Sequence, residues 1–389
     1  MTQQALAQKL APAEINLSTV LPAGLLNMFT LGASTTLYGP SLVYIAGETG
    51  QPIANLGILF AFHWAGFFAS TFTANRIARR FEMRRGAMFG VLLIAFGVLG
   101  LITLPFPLNI AMAFLIGLGN GTSEVLFNRL VEMLAGDKPA EALTRLHSTW
   151  GVGAVAIPLV VAGAALLGWN WRIAGIFVIL AALLDVFLIS RWSEFQSPHG
   201  DDVHWRTLPW KSISLFIALF AIYAGVEVAV GAWATTFFAT LGQGAVMGAI
   251  ATSAFFLTFS IGRVLFASST DRLGFGRVVR IGTLAGAAAL LLTFNPSLAI
   301  IGFALTGIAF SIVFPTLLAW APRRHPEIRA QMMSISLAAT GLGGIILPFV
   351  IGVSVGALGA WTLTPLLIGT AMLVAALTLF EKDKPKELS

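Results

Sequence analysis

Long apolar runs separated by short, arginine-rich connectors dominate this chain of 389 residues. Twelve runs can be marked, near 19–44, 53–75, 86–104, 108–135, 143–168, 170–192, 212–240, 244–269, 276–294, 297–320, 331–356 and 359–380. A helical crossing of a bilayer needs about 20 mostly apolar residues. Each run approaches or exceeds that length, so the pattern predicts an all-α polytopic membrane protein with twelve transmembrane helices. The apolar positions are continuous rather than alternating, which excludes a β-barrel. The longest polar stretch, 193–211, holds Pro198, Gly200, Asp201 and Asp202 at mid-chain. It reads as a cytoplasmic linker between a six-helix bundle over 1–192 and a second bundle with a short tail over 212–389.

An internal repeat supports this division. Gly151, Gly153 and Pro158, in the string GVGAVAIP, recur 190 positions later as Gly341, Gly343 and Pro348 in GLGGIILP. Gly117 and Gly307 stand at the same offset. Glycines at spacings of two to five inside apolar helices suit close helix packing. The alternative, phosphate cradling, needs a preceding strand, and no G-x-x-x-x-G-K-[ST] run occurs. An ATP-driven pump is therefore disfavoured.

Composition agrees: 57% of the residues are apolar and 10% charged, against about 25% charged in an ordinary soluble domain. The net charge of +6 does not signal nucleic acid, because the cations lie in short connectors, where they orient a membrane protein. Of the 23 lysines and arginines, only Arg172 falls on the opposite side, while Arg129 and Arg263 lie within apolar runs. That asymmetry places both termini in the cytoplasm. With no cysteine there is no disulfide, thiol nucleophile or thiolate metal site. The first run lacks an A-x-A-like cleavage site and is expected to be a retained helix. Trp169, Trp171, Trp192, Trp205, Trp210 and Trp361 fall at expected interfaces and suggest an aromatic belt.

Ionisable groups inside apolar helices need a reason, since each costs a few kcal/mol. Glu132 and Asp185 lie within reach of the basic cytoplasmic connectors and read as structural. Glu124 and Glu227 are deeper, near the middles of the fourth and seventh runs. Glu124 shares a helix face with Asn128, four residues on. Burial disfavours the charged form of a carboxyl and favours proton uptake, which is the chemistry a proton-coupled carrier needs. Glu124 is the candidate coupling residue. Asn27, His63, Asn128, Trp150, Glu227 and Trp233 are candidate solute contacts, Asn27 being the one strongly polar non-hydroxyl group of the first run. The histidines lack the i, i+4 partner of a metal site, so no metal or cofactor is expected.

The duplicated six-plus-six pattern with a cytoplasmic linker resembles the major facilitator superfamily. The eighth-to-ninth connector, GRVLFASSTDRLGFGR from Gly262 to Arg277, is similar to that superfamily's signature loop. The first-half counterpart, TANRIARRFEMRR, has Arg79 and Glu82 where the pattern has Asp and Gly. The strings SEVLFN, LHSTWGVGA, YAGVEVAVGAW and FSIVFPTLLAW resemble the fucose/galactose/glucose–proton symporter group. The resemblance implies the major facilitator fold, coupling of proton movement to sugar binding at Glu124, and a cytoplasmic latch built from Arg263, Asp271 and Arg272.

The expected function is proton-coupled symport of a sugar or similar small polar solute by alternating access, performed by a monomer in a bacterial inner membrane. One alternative is an exporter of drugs or metabolites. Drug–proton antiporters carry Gly-Pro followed by two glycines in the fifth helix, whereas Ile157 precedes Pro158 here. The other is a non-transporting membrane receptor, which has no need of buried mid-membrane carboxylates. No motif of nucleophile, base or metal points to an enzyme.

Overall fold

The computed structural model describes residues 16–135, 139–193, 208–266 and 269–381, so most of the mid-chain linker lies outside it. Among the described residues there is no strand, and twelve helical spans are long and apolar enough to cross a membrane. Eleven of them begin and end within four residues of the apolar runs; the first ends at Thr36, where the run continues to 44. Fourteen α-helices build them: α1 (Leu17–Thr36), α2 (Tyr38–Thr49), α3 (Gly57–Thr103), α4 (Leu108–Leu134), α5 (Pro139–Leu166), α6 (Arg172–Ser190), α7 (Trp210–Thr240), α8 (Gly244–Leu265), α9 (Ser269–Leu273), α10 (Phe275–Leu290), α11 (Ala299–Phe310), α12 (Val313–Arg324), α13 (Arg329–Leu358) and α14 (Leu363–Leu377).

Two spans are broken, and proline explains both. Pro40 has no N–H to offer the Thr36 carbonyl, and α1 stops at Thr36. Pro315 deprives the Ser311 carbonyl in the same way, and the tenth span splits into α11 and α12 across Ser311 and Ile312. The α3 helix holds two spans, with the chain turning at Glu82, where φ is 63° and ψ 167°.

The chain forms two compact units, Met1–Pro52 with Ile58–Asp202, and Ile53–Gly57 with Val203–Ser389. In the first, α1 packs on α4, α5 and α6; in the second, α7 packs on α8, α13 and α14. The recurring glycines sit at equivalent helix crossings. A Cβ on Gly117 of α4 would fall on the His63 carbonyl of α3, and one on Gly307 of α11 on the Phe255 carbonyl of α8. Likewise Gly153 of α5 faces the Phe29 carbonyl of α1, and Gly343 of α13 the Ala221 carbonyl of α7. The duplication seen in sequence is thus a duplication of backbone-to-backbone contacts.

The two signature connectors repeat a conformation as well. Gly274 has φ 83° and ψ 158°, close to the angles of Glu82, which stands where the pattern has glycine. That region is essentially reserved for glycine and costs another residue about 1–3 kcal/mol. Glu82→Gly is therefore expected to raise the thermal midpoint in detergent by a few degrees and Gly274→Ala to lower it. Unchanged midpoints in both would remove the strain.

Large apolar side chains make up much of the exposed surface, among them Phe96, Leu166, Phe177 and Val264. Such a surface suits lipid rather than water. Trp169, Trp210 and Trp361 are exposed as a belt requires. Trp171 and Trp192 are not, and the belt assignment is corrected for both. Trp171 is 4% exposed, and its Nε1 donates to Glu48 Oε1 at 3.1 Å. Trp192 is 2% exposed and meets the Phe127 ring edge-on. Trp205 lies outside the described residues. Arg172 grips both Glu48 oxygens at 2.7 Å and donates to the Ile102 carbonyl, tying α2, α3 and α6.

Candidate functional site

In the first unit, α4 presents Asn120, Glu124 and Asn128 one helical turn apart. Asn120 is buried and docks α4 onto α1. Its Oδ1 accepts from Ser34 Oγ at 3.1 Å, and its Nδ2 donates to Thr35 Oγ1 at 3.2 Å. The next two side chains are not consumed in this way. Glu124 is half-buried, and among the described residues none donates a hydrogen bond or brings a cation to its carboxyl. Asn128 is half-buried, with Oδ1 unpartnered. Against lipid, half-exposed polar groups at mid-span would be costly. Trp150 of α5, also half-buried, lies in the helix whose backbone meets Gly32 of α1.

Asn27 and His63 are differently placed. Asn27 is fully buried, and its Nδ2 donates to Asp185 Oδ2 of α6 at 3.0 Å. Asp185 is also fully buried. It therefore answers α1 rather than the basic cytoplasmic connectors, which revises the reason for its presence. Glu132, by contrast, is exposed. His63 is 2% exposed, with Nδ1 at 3.2 Å from the Tyr38 hydroxyl and its ring edge-on to Tyr38 and Trp64. Asn27 and His63 thus present almost no surface to a solute in this conformation.

The second unit has its own acidic centre. Glu227 of α7 is half-buried and has one oxygen, Oε2, without a hydrogen-bond partner. The Tyr223 hydroxyl, one turn earlier, lies beside that carboxylate, and the Arg263 guanidinium of α8 acts on it through space. Tyr223 also donates to the Phe310 carbonyl at 2.7 Å, where the tenth span breaks. Arg263 lies over the Phe259 ring at 4.4 Å. Trp233 is fully buried, and its Nε1 donates to the Pro348 carbonyl at 3.1 Å.

Sequence reasoning groups Arg263 with Asp271 and Arg272 as a latch. The structure sets Arg263 in range of Glu227 as well. Arg272 is exposed on the short α9 helix, and the Asp271 side chain lies outside the described residues. Sequence reasoning also missed Asn120 and Tyr223. Their signal was their spacing, each standing four residues before a mid-helix glutamate.

Among the described residues the two carboxyls therefore differ: Glu227 has a cation acting on it and Glu124 has none. Arg263→Met removes the cation that acts on Glu227 and leaves that carboxyl unopposed at mid-span, where charge is costly. Arg263→Met is expected to lower solute exchange at least tenfold, with partial recovery in Arg263→Met/Glu227→Gln. Lack of recovery in the double variant would show that Arg263 does not serve Glu227.

Comparison with known proteins follows the same lines. The chain matches the pattern of the Major Facilitator Superfamily over residues 24–213 and 215–389. It is 24% identical over 348 residues to the glucose/mannose transporter GlcP of Bacillus subtilis (strain 168), covering 83% of this chain and 85% of that protein. Its fold resembles the xylose transporter XylE from E. coli with a TM-score of 0.78 at 13% identity, covering 96% of this chain and 99% of the other. The nucleoside transporter NupG aligns with a TM-score of 0.75 at 14% identity, over 95% of this chain and 100% of the other.

Proposed function

We propose that this chain, which belongs to the Major Facilitator Superfamily, carries a sugar or similar small polar solute together with a proton. The observation that supports this most directly is Glu124, a half-buried carboxyl in the middle of a span with neither a cation nor a hydrogen-bond donor among the described residues. An ionised carboxylate there is costly, and taking up a proton removes the cost. The protonated group then offers one donor and one acceptor to a hydroxylated solute. Asn128 adds an amide with a free oxygen, and Trp150 an aromatic face. In the second unit Glu227 has Arg263 acting on it through space, and its unpartnered Oε2 is an acceptor for a solute hydroxyl. Asn27, His63 and Trp233 act behind these, fixing helices whose other faces meet the solute.

Alternating access follows from two units rocking about a solute site near the bilayer midplane. Protonation of Glu124 favours loading, loading permits the switch, and release of the proton resets the carrier. Asp271 and Arg272 hold one conformation from the cytoplasmic connector. The glucose/mannose relative supports a hexose; a bacterial inner membrane is the setting this reading takes, and a monomer suffices for the cycle.

Counterflow in proteoliposomes tests the substrate class. Vesicles preloaded with unlabelled glucose, mannose, xylose or uridine are expected to take up the same labelled compound with one of the sugars and not with uridine. Exchange of uridine alone would make the carrier a nucleoside transporter. The direction of pH-driven flux separates symport from export.

A further inference from the structure

A groove of about 680 Å³ lies within the second unit, away from Glu227, and the transport cycle does not use it. One wall is the face of α10 that carries Val278, Ile281, Ala285 and Ala288, continued by Leu292 in the 3-10 turn that follows, at spacings of three and four residues. At 1.5 Å per residue that face runs for about 21 Å, roughly two-thirds of a hydrocarbon core about 30 Å thick. The other wall is α11 and the break after it, from Leu305 to Ile312. The groove exists because small residues hold the two walls together at its floor. A Cβ on Gly282 would stand 2.7 Å from Val313 Cγ2 and 2.9 Å from the Ala309 carbonyl.

Polarity along the groove is one-sided. Its lining is apolar except for Ser269, which sits at the cytoplasmic end on α9. Cations cluster at that same end. Arg272, adjacent to the lining residue Leu273, is exposed, as is Arg277, adjacent to the lining residue Val278. Arg280 stands one turn further along α10, its guanidinium bonded to Thr378. The connector's only acid in sequence is Asp271. An occupant must therefore be a long apolar chain lying along the bilayer normal, ending in an anionic head at the cytoplasmic surface.

We propose that this groove is a binding site for an anionic glycerophospholipid, with an acyl chain against α10 and α11 and the phosphate head at Arg272 and Arg277. The size matches sites of about 300–1,000 Å³ that enclose small-molecule ligands, and basic clusters at the cytoplasmic ends of spans recognise anionic head groups. A bulk lipid surface would wet any apolar face, but it would not discriminate between head groups. Discrimination is the property to measure.

Native mass spectrometry of the full-length protein supplies the test, after exchange into detergent with equal amounts of phosphatidylglycerol and phosphatidylcholine of matched chains. One retained phosphatidylglycerol per protein is expected, in clear excess over phosphatidylcholine. Each arginine near a membrane surface is worth roughly a fivefold change in affinity for an anionic lipid, so Arg272→Gln/Arg277→Gln should lose most of that preference. Those side chains are exposed, and the double variant should fold normally. Ala285→Phe, which fills the groove, should lower retention of both lipids. Equal retention of the two lipids by the wild-type protein, or an undiminished preference in the arginine variant, would overturn the proposal.

Discussion

Glu124→Gln is expected to abolish proton-driven accumulation while leaving solute exchange intact. Glutamine has nearly the volume of glutamic acid and keeps one donor and one acceptor, so it imitates the protonated carboxyl at every pH. The solute would still bind, and the loaded carrier would still switch. What the variant lacks is the ability to release a proton and regain charge. For one proton per solute, a pH gradient of one unit sustains roughly tenfold accumulation. The wild-type protein should approach that ratio in proteoliposomes with an acidic exterior, and the variant should stop at equilibration. Counterflow by the variant should persist and lose its dependence on pH. Accumulation retained by Glu124→Gln would transfer the coupling role to another buried acid, Glu227 or Asp185.

A second large effect concerns the fold itself. Gly117→Val and Gly307→Val should each prevent recovery of monodisperse protein, because the new side chain would occupy the space of a backbone carbonyl, His63 in one unit and Phe255 in the other. Overpacking against yielding side chains costs about 1–3 kcal/mol. A carbonyl inside a helix cannot step aside, so the helices must separate, and both crossings are central to their units. Gly163→Val provides the control, since nothing lies within 4 Å of a Cβ at that position. Size-exclusion profiles and thermal midpoints of the three variants decide the matter. Normal behaviour of either crossing variant would mean that the helices do not approach so closely.

Much of the fold was legible in the sequence because a bilayer imposes one dominant constraint. Length and hydropathy located all twelve spans. The 190-residue offset between the glycines foretold equivalent crossings. Partnerships across the chain were less visible. Asn27 and Asp185 are 158 residues apart, and nothing in the periodicity of either helix announces a pair. Asn27 therefore looked available to a solute when its amide is already engaged. Trp171 and Trp192 sit at span ends, where hydropathy cannot separate a lipid-facing indole from one turned inward. Arg263 lies in the signature loop's opening residues, and its motif suggested a latch. Its position at the end of α8 also brings it into range of Glu227, which the motif did not suggest. The mid-helix glutamates could be found by depth alone, and the contrast between them required their neighbours.

The most direct test of proton–solute symport is solute-induced proton movement in the wild-type protein. Proteoliposomes containing a trapped pH-sensitive dye, with the membrane potential clamped at zero and no initial pH gradient, would receive external glucose or mannose. Lumenal acidification that begins with sugar addition, and is absent in Glu124→Gln vesicles, is the expected result. Sugar entry without any acidification in the wild-type vesicles would contradict coupling outright.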